Sequence, residues 1–140
     1  VADARQKGAE VVTGGNRIGN KGYFFEPTVI AGATTELKGM NEEPFGPIAF
    51  MRPFKDFDDV VTEANRLPWG LASYAFTSST RTAQALAASV EVGMMTINHL
   101  GLALPEVPFG GVRDSGYGTE GGSGAIEAYL NTKFVTQAGL

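Results

Sequence analysis

Between residues 56 and 97 the apolar positions switch repeatedly between the period of a helix and that of a strand. Phe57, Val60, Val61 and Ala64 recur at the i, i+3, i+4, i+7 spacing of one helical face. Asp56 is placed to cap that helix, and Asp58 and Asp59 to complement its dipole. Leu67-Pro68 ends it, because the residue before a proline is driven out of the α region. Residues 71–77 read as a strand. Thr80 is the candidate cap of a second helix, with Ala83, Leu86, Ala87 and Val90 on one side, and Gly93 precedes a strand at 94–97. Upstream, residues 47–54 are apolar on both parities, as in a strand covered on both faces. Strand, helix, strand, helix, strand predicts parallel βαβ units with right-handed crossovers. The expected class is α/β, part of a doubly wound parallel sheet.

The flanks are less regular. Residues 1–7 read as the tail of a helix stopped by Gly8. Glu10-Val11-Val12-Thr13 is a short strand closed by Gly14-Gly15-Asn16. Residues 23–30 are β-rich, but Pro27 cannot donate to a ladder and belongs at an edge or bulge. One helical turn fits 34–38. Residues 98–122 form a long loop punctuated by glycine and proline, of the kind that is functional or held by a neighbour. A short helix at 123–130 and a last strand at 133–136 follow, which separates a main part, 1–122, from a C-terminal element, 123–140.

Composition narrows the partners. The chain has 140 residues, 43% hydrophobic and 19% charged, which is globular and far from disorder. A net charge of -4 and a pI near 4.9 leave no basic stripe, so neither nucleic acid nor an anionic membrane is expected as a partner. No apolar run is long enough to span a bilayer, and the first residues do not resemble a signal peptide. The chain has no cysteine, which excludes disulfides and thiolate metal sites within it and fits a cytoplasmic protein.

Few residues offer chemistry. In Asn41-Glu42-Glu43-Pro44-Phe45-Gly46-Pro47, adjacent carboxylates on extended chain point to opposite sides, and Pro44 biases Glu43 toward extended geometry. Two readings stand: a solvated acidic turn, or a fixed carboxylate that accepts from the vicinal hydroxyls of a ribose, with Phe45 beside it. Gly116-Tyr117-Gly118-Thr119-Glu120-Gly121 matches G-x-G-x-x-G by letter, but it follows a loop, so backbone crowding is the better account of its glycines. His99, the only histidine, reads as a polar loop residue before a catalytic base. Ser115 has no local base and lies outside a Gly-x-Ser-x-Gly elbow.

The Glu-Glu turn, Trp69-Gly70-Leu71-Ala72, Ile97-Asn98, Pro108-Phe109-Gly110-Gly111 and Lys133-Phe134-Val135, in this order, resemble the C-terminal part of the NAD(P)-dependent aldehyde dehydrogenases. The resemblance implies that Glu43 holds the nicotinamide ribose, that Phe45 packs beside it, and that NAD or NADP is the cofactor. It implies that Gly101 and Ala103, small where relatives often place larger side chains, form a wide aldehyde channel with Phe109 as its aromatic wall. The family's cysteine nucleophile and general-base glutamate belong upstream of these motifs, so this chain alone is expected to be inactive. In the parent a thiolate adds to the carbonyl, hydride passes to nicotinamide and water hydrolyses the thioester. The last strand is expected to pair subunits of a homo-oligomer, a dimer or tetramer.

Residues 99–107 resemble bacterial enzymes acting on carboxylate-bearing semialdehydes, such as succinic or 2-oxoglutaric semialdehyde. One departure is Ala103, where enzymes of the succinic type offer a serine hydroxyl; a carboxylate here needs an upstream arginine or His99. A general aliphatic aldehyde is the alternative substrate. The alternative function is a non-catalytic scaffold of the same fold.

Overall fold

The structure, a computed structural model, describes residues 1–139, and its elements fall into two units, Val1–Phe57 and Asp58–Leu140. In the first unit α1 (Ala2–Gln6) stops where expected. Gly8 takes φ +81°, and the N–H of Ala9 reaches back to the Ala4 carbonyl at 2.9 Å. β1 (Glu10–Thr13) pairs antiparallel with β2 (Thr28–Ala31), and β2 pairs parallel with β3 (Ile48–Met51). Pro27 stands just before β2, outside the ladder, so the β-rich run is shorter than its composition suggests. Its upstream half contributes a single bridge, Phe25 to Arg17.

Ala4, Ile30, Ala33 and Leu37 form the core of this unit, with Ile48 and Phe50 packed against it. Ile30 and Leu37 are fully buried, each contributing on the order of 1.5–3 kcal/mol relative to an exposed side chain. β3 departs from the expectation of two covered faces. Ile48 and Phe50 turn inward, whereas Ala49 and Met51 are exposed, so within this unit only one face of the strand has cover. The helical turn between β2 and β3 is a 3-10 turn at Lys38–Met40, later than the 34–38 expected.

α2 (Phe57–Ala64) starts directly after Asp56, and all of it but Phe57 belongs to the second unit. β5 (Ala72–Ala75), α3 (Thr80–Ser89) and β6 (Met94–Ile97) make the expected βαβ unit, its strands parallel from Ala72↔Met94 to Ala75↔Ile97. Ser79, and not Thr80, caps α3, its Oγ accepting the Thr82 N–H at 3.2 Å. The expected strand at 71–77 is realised as the shorter β5, and just before it β4 (Trp69–Gly70) pairs antiparallel with β7 (Val112–Arg113), a short strand inside the long loop. β3 pairs with β2 in the three-stranded sheet of the first unit, and β5 with β6 in a two-stranded sheet of the second.

A 3-10 turn at Ala125–Tyr129 takes the place of the short C-terminal helix. Residues 131–139 have no regular structure, and among the described residues nothing pairs with 133–136. Phe134 and Val135 are 87% and 71% exposed there, as a strand without a ladder partner would be. No described helix is long and apolar enough to cross a membrane.

Candidate functional site

In the first unit the Glu-Glu turn hangs from the core through one side chain. Asn41 Nδ2 donates to the carbonyls of Thr35 (2.7 Å) and Leu37 (2.8 Å), and Leu37 is itself buried. The N–H groups of Asn41 and Glu42 both reach the Lys38 carbonyl, at 3.0 and 2.9 Å. Lys38 is tied in turn to α1, its N–H donating to Asp3 Oδ2 at 2.7 Å, while Lys7 pairs with the other Asp3 oxygen at 2.7 Å. The Lys7 bond and then the Lys38 N–H hold the Asp3 carboxyl below its ordinary 3.8, against the opposing pull of burial. Gly39 lies flush on Phe50: a Cβ there would sit 2.3 Å from the ring.

This packing leaves a hollow of about 200 Å³ bordered by Val1, Gly39, Glu42, Glu43, Ile48 and Phe50. Both glutamates border it. Strand alternation would have separated them, but the chain at Glu42 is a turn and not extended, so the rule does not apply. Glu42 faces Lys38 at 3.5 Å in an exposed pair of little energetic weight. The Glu43 carboxylate meets no donor among the described residues, and Phe45, outside the hollow, is 93% exposed. A free carboxylate beside an uncovered ring suits a sugar bearing vicinal hydroxyls and a flat heterocycle.

Gly101, Ala103 and Phe109 belong to the second unit. Phe109 is clipped by its own backbone, its N–H reaching the Glu120 carbonyl at 2.6 Å and its carbonyl accepting the Glu120 N–H at 2.8 Å. It borders a cavity of about 580 Å³ with Ser115, Tyr117, Glu120 and Tyr129, whereas Gly101 and Ala103 are exposed and not part of that cavity. The G-x-G-x-x-G run opens no helix. Crowding explains only its last glycine, where a Cβ would lie 2.6 Å from the Val107 carbonyl oxygen. Gly116 and Gly118 face open space and are needed for φ values of +129° and +86°.

Ser115 is structural, its Oγ accepting the Gly70 N–H at 2.8 Å. His99 is held at both ends, its carbonyl accepting from Thr96 Oγ1 at 2.6 Å and its Nδ1 from the Gly101 N–H at 3.2 Å. Two supports escaped the sequence. Asn98, at φ +62°, exchanges two hydrogen bonds with the Thr77 backbone, accepting at 2.8 Å and donating at 2.9 Å. Arg113, at φ +55°, donates to the Leu67 carbonyl at 2.7 Å and pairs with Glu91 at 2.5 Å. Asparagine directly after a strand was a usable signal, because asparagine tolerates positive φ; Arg113 had none. Among the described residues no group of three or more acidic or histidine side chains could hold a metal ion.

The model of the aldehyde dehydrogenase family matches residues 1–135. The chain belongs to that family. It is 46% identical over 114 residues to 4-(hydroxymethyl)benzenesulfonate dehydrogenase TsaD1 of Comamonas testosteroni, covering 81% of this chain and 24% of that protein. It is 42% identical over 140 residues to a probable succinate-semialdehyde dehydrogenase (NADP(+)) of Sinorhizobium fredii, covering 100% of this chain and 28% of that protein. Among solved structures, the NAD+ complex of an aldehyde dehydrogenase from Bacillus cereus is similar with a TM-score of 0.86 and 36% identity, over 91% of this chain and 26% of that one. This aldehyde dehydrogenase chain therefore spans about a quarter of the length of the relatives it matches. Both nicotinamide dinucleotides occur among them, NAD+ in the Bacillus structure and NADP(+) in the name of the Sinorhizobium protein.

Proposed function

We propose that this chain is the C-terminal part of an NAD(P)-dependent aldehyde dehydrogenase that oxidises an aldehyde bearing an anionic group to its carboxylic acid. The family match over residues 1–135, joined to a Glu43 carboxylate without a protein partner, carries this reading. Glu43 accepts hydrogen bonds from the nicotinamide ribose, and its fixed position on the turn orients the sugar. Phe45 offers an exposed ring for packing beside it. The bound cofactor supplies the hydride acceptor. With no cysteine in the chain, the nucleophilic thiol and the adenosine-binding part come from upstream, and this chain alone forms no product.

Gly101 and Ala103 leave the aldehyde path wide, and Phe109 forms its aromatic wall. One relative is named for a benzenesulfonate and another for succinate semialdehyde, and each name carries an acid group. The shared feature favours an anionic aldehyde over a plain aliphatic one. Residues 133–136 serve as an edge strand for a second subunit in a dimer or tetramer; exposed Phe134 and Val135 on an unpaired edge would otherwise invite aggregation. The cysteine-free composition fits a cytoplasmic setting.

Steady-state kinetics of the full-length Glu43→Gln enzyme test the clamp. An amide keeps one acceptor but loses charge assistance, a cost of about 1–2 kcal/mol, so the KM for NAD(P) is expected to rise about tenfold while that for the aldehyde changes little. Unchanged constants for NAD(P) would remove Glu43 from the site.

A further inference from the structure

We infer that His99 holds the anionic end of the aldehyde, with its Nε2–H donating to a carboxylate or sulfonate oxygen. The inference rests on the proposed role of residues 99–107 as the lining of the aldehyde path. In His99-Leu100-Gly101-Leu102-Ala103-Leu104-Pro105-Glu106-Val107, the imidazole is the only side chain able to donate a hydrogen bond. The others are apolar, lack a side chain, or carry the same charge as the ligand.

The backbone of this stretch follows a two-residue repeat. Leu102 N–H donates to the Leu100 carbonyl at 3.2 Å, and Leu104 N–H to the Leu102 carbonyl at 3.3 Å, a pair of γ-type turns. The repeat spans Leu100 to Leu104 and puts its two central residues, Gly101 and Ala103, in step, directly after His99. The imidazole meets Gly101 directly: a Cβ built there would find one heavy atom within 4 Å, the His99 Nδ1, at 3.6 Å. A longer side chain at 101 would extend along the ring, and glycine leaves its approach open.

The hydrogen bond from Gly101 N–H to Nδ1 selects the tautomer. A nitrogen that accepts from the backbone carries no proton in the neutral ring, so the proton resides on Nε2, at the edge away from that contact. The residue is exposed, and its backbone is anchored by Thr96 Oγ1 at its own carbonyl and by the Asn98–Thr77 exchange just before it. The result is one positioned donor in a stretch that otherwise offers an oxyanion no side-chain donor. Ala103 has no hydroxyl to share the task. Arg113 is committed elsewhere, to Glu91 and to the Leu67 and Asn65 carbonyls.

The test uses the full-length enzyme and two matched substrate pairs, succinic semialdehyde with butanal and 4-sulfobenzaldehyde with benzaldehyde. The readout is the ratio of kcat/KM for the anionic member to that for the neutral one. A hydrogen bond to a charged group predicts that His99→Leu lowers this ratio by about tenfold or more, and that His99→Gln, which restores an N–H donor, recovers part of it. The pair with the larger loss tells carboxylate from sulfonate. A His99→Leu ratio within twofold of wild type in both pairs overturns the assignment of His99 while leaving the anionic-aldehyde reading intact. A wild-type enzyme that prefers the neutral member of both pairs overturns that reading and the His99 assignment with it.

Discussion

The Glu-Glu turn and the loop from 98 to 122 are held in place by opposite means. The turn is fixed by side chains that reach for backbone: Asn41 to two carbonyls and Asp3 to the Lys38 N–H. The loop is fixed largely by backbone pressed against backbone, with glycine at the points of closest approach. A Cβ at Gly93 would lie 1.9 Å from the Gly110 carbonyl oxygen, and one at Gly110 would lie 2.8 Å from that of Gly118. A turn tied by side chains fails when a group is removed. A loop tied by close approach fails when a group is added.

The largest effect is therefore expected at Gly93. Alanine there drives a methyl into a backbone carbonyl that cannot swing away, and overpacking of this kind costs about 3 kcal/mol or more. Gly116→Ala sharpens the contrast. It meets open space and bears only the strain of φ +129°, about 1–3 kcal/mol. Thermal unfolding of the two full-length variants should order them with Gly93→Ala clearly the less stable. Equal midpoints would show that close approach is not what holds the loop.

The next effect tests the turn from the other direction. Asn41→Ala removes two hydrogen bonds, strands the Thr35 carbonyl and leaves the Leu37 carbonyl with the Met40 N–H alone, a loss of about 1–3 kcal/mol. Asn41→Asp keeps the shape but cannot donate, so it should fail as badly. Both should raise the KM for NAD(P) several-fold more than the KM for the aldehyde, because the turn carries Glu43. A uniform fall in kcat, with both KM values unchanged, would show that Asn41 supports the protein generally and not the clamp.

Legibility followed the range of the interactions. The β5–α3–β6 unit was readable because its apolar period changes from strand to helix and back within 26 residues, Ala72 to Ile97. The cap of α3 was missed by one position because Ser79 and Thr80 carry the same hydroxyl, and only the extended backbone of Ser79 decides between them. The parallel pairing of β2 with β3 and the pairing of β4 with β7 were not readable, since each joins segments whose local pattern names no partner. Burial of β3 was overestimated because its two apolar parities describe a strand covered on both faces, and this unit covers one. Of the candidate site, residue identities came from motif order, while the supports stayed hidden. Arg113 finds its carbonyl 46 residues away, and Asn98 its partner 21 residues away, separations over which no spacing rule operates.

The smallest effect concerns the link from α1 to the Glu-Glu turn, and it depends on pH. The folded Asp3 carboxyl lies below its ordinary 3.8, chiefly through its bond from Lys7 and then through the Lys38 N–H. Its contribution is therefore complete above the unfolded value and is lost as pH falls through the folded one. Asp3→Asn keeps an acceptor for the Lys38 N–H but gives up the pair with Lys7, which is partly exposed and screened by salt. Stability curves of wild type and variant should coincide in strong acid, where Asp3 is neutral, separate slightly as the pH rises from the folded value to 3.8, and keep that separation above it. High salt should narrow that separation. A gap of constant size across the acid range would mean that the carboxylate's charge does nothing for the turn, and that shape alone ties α1 to it.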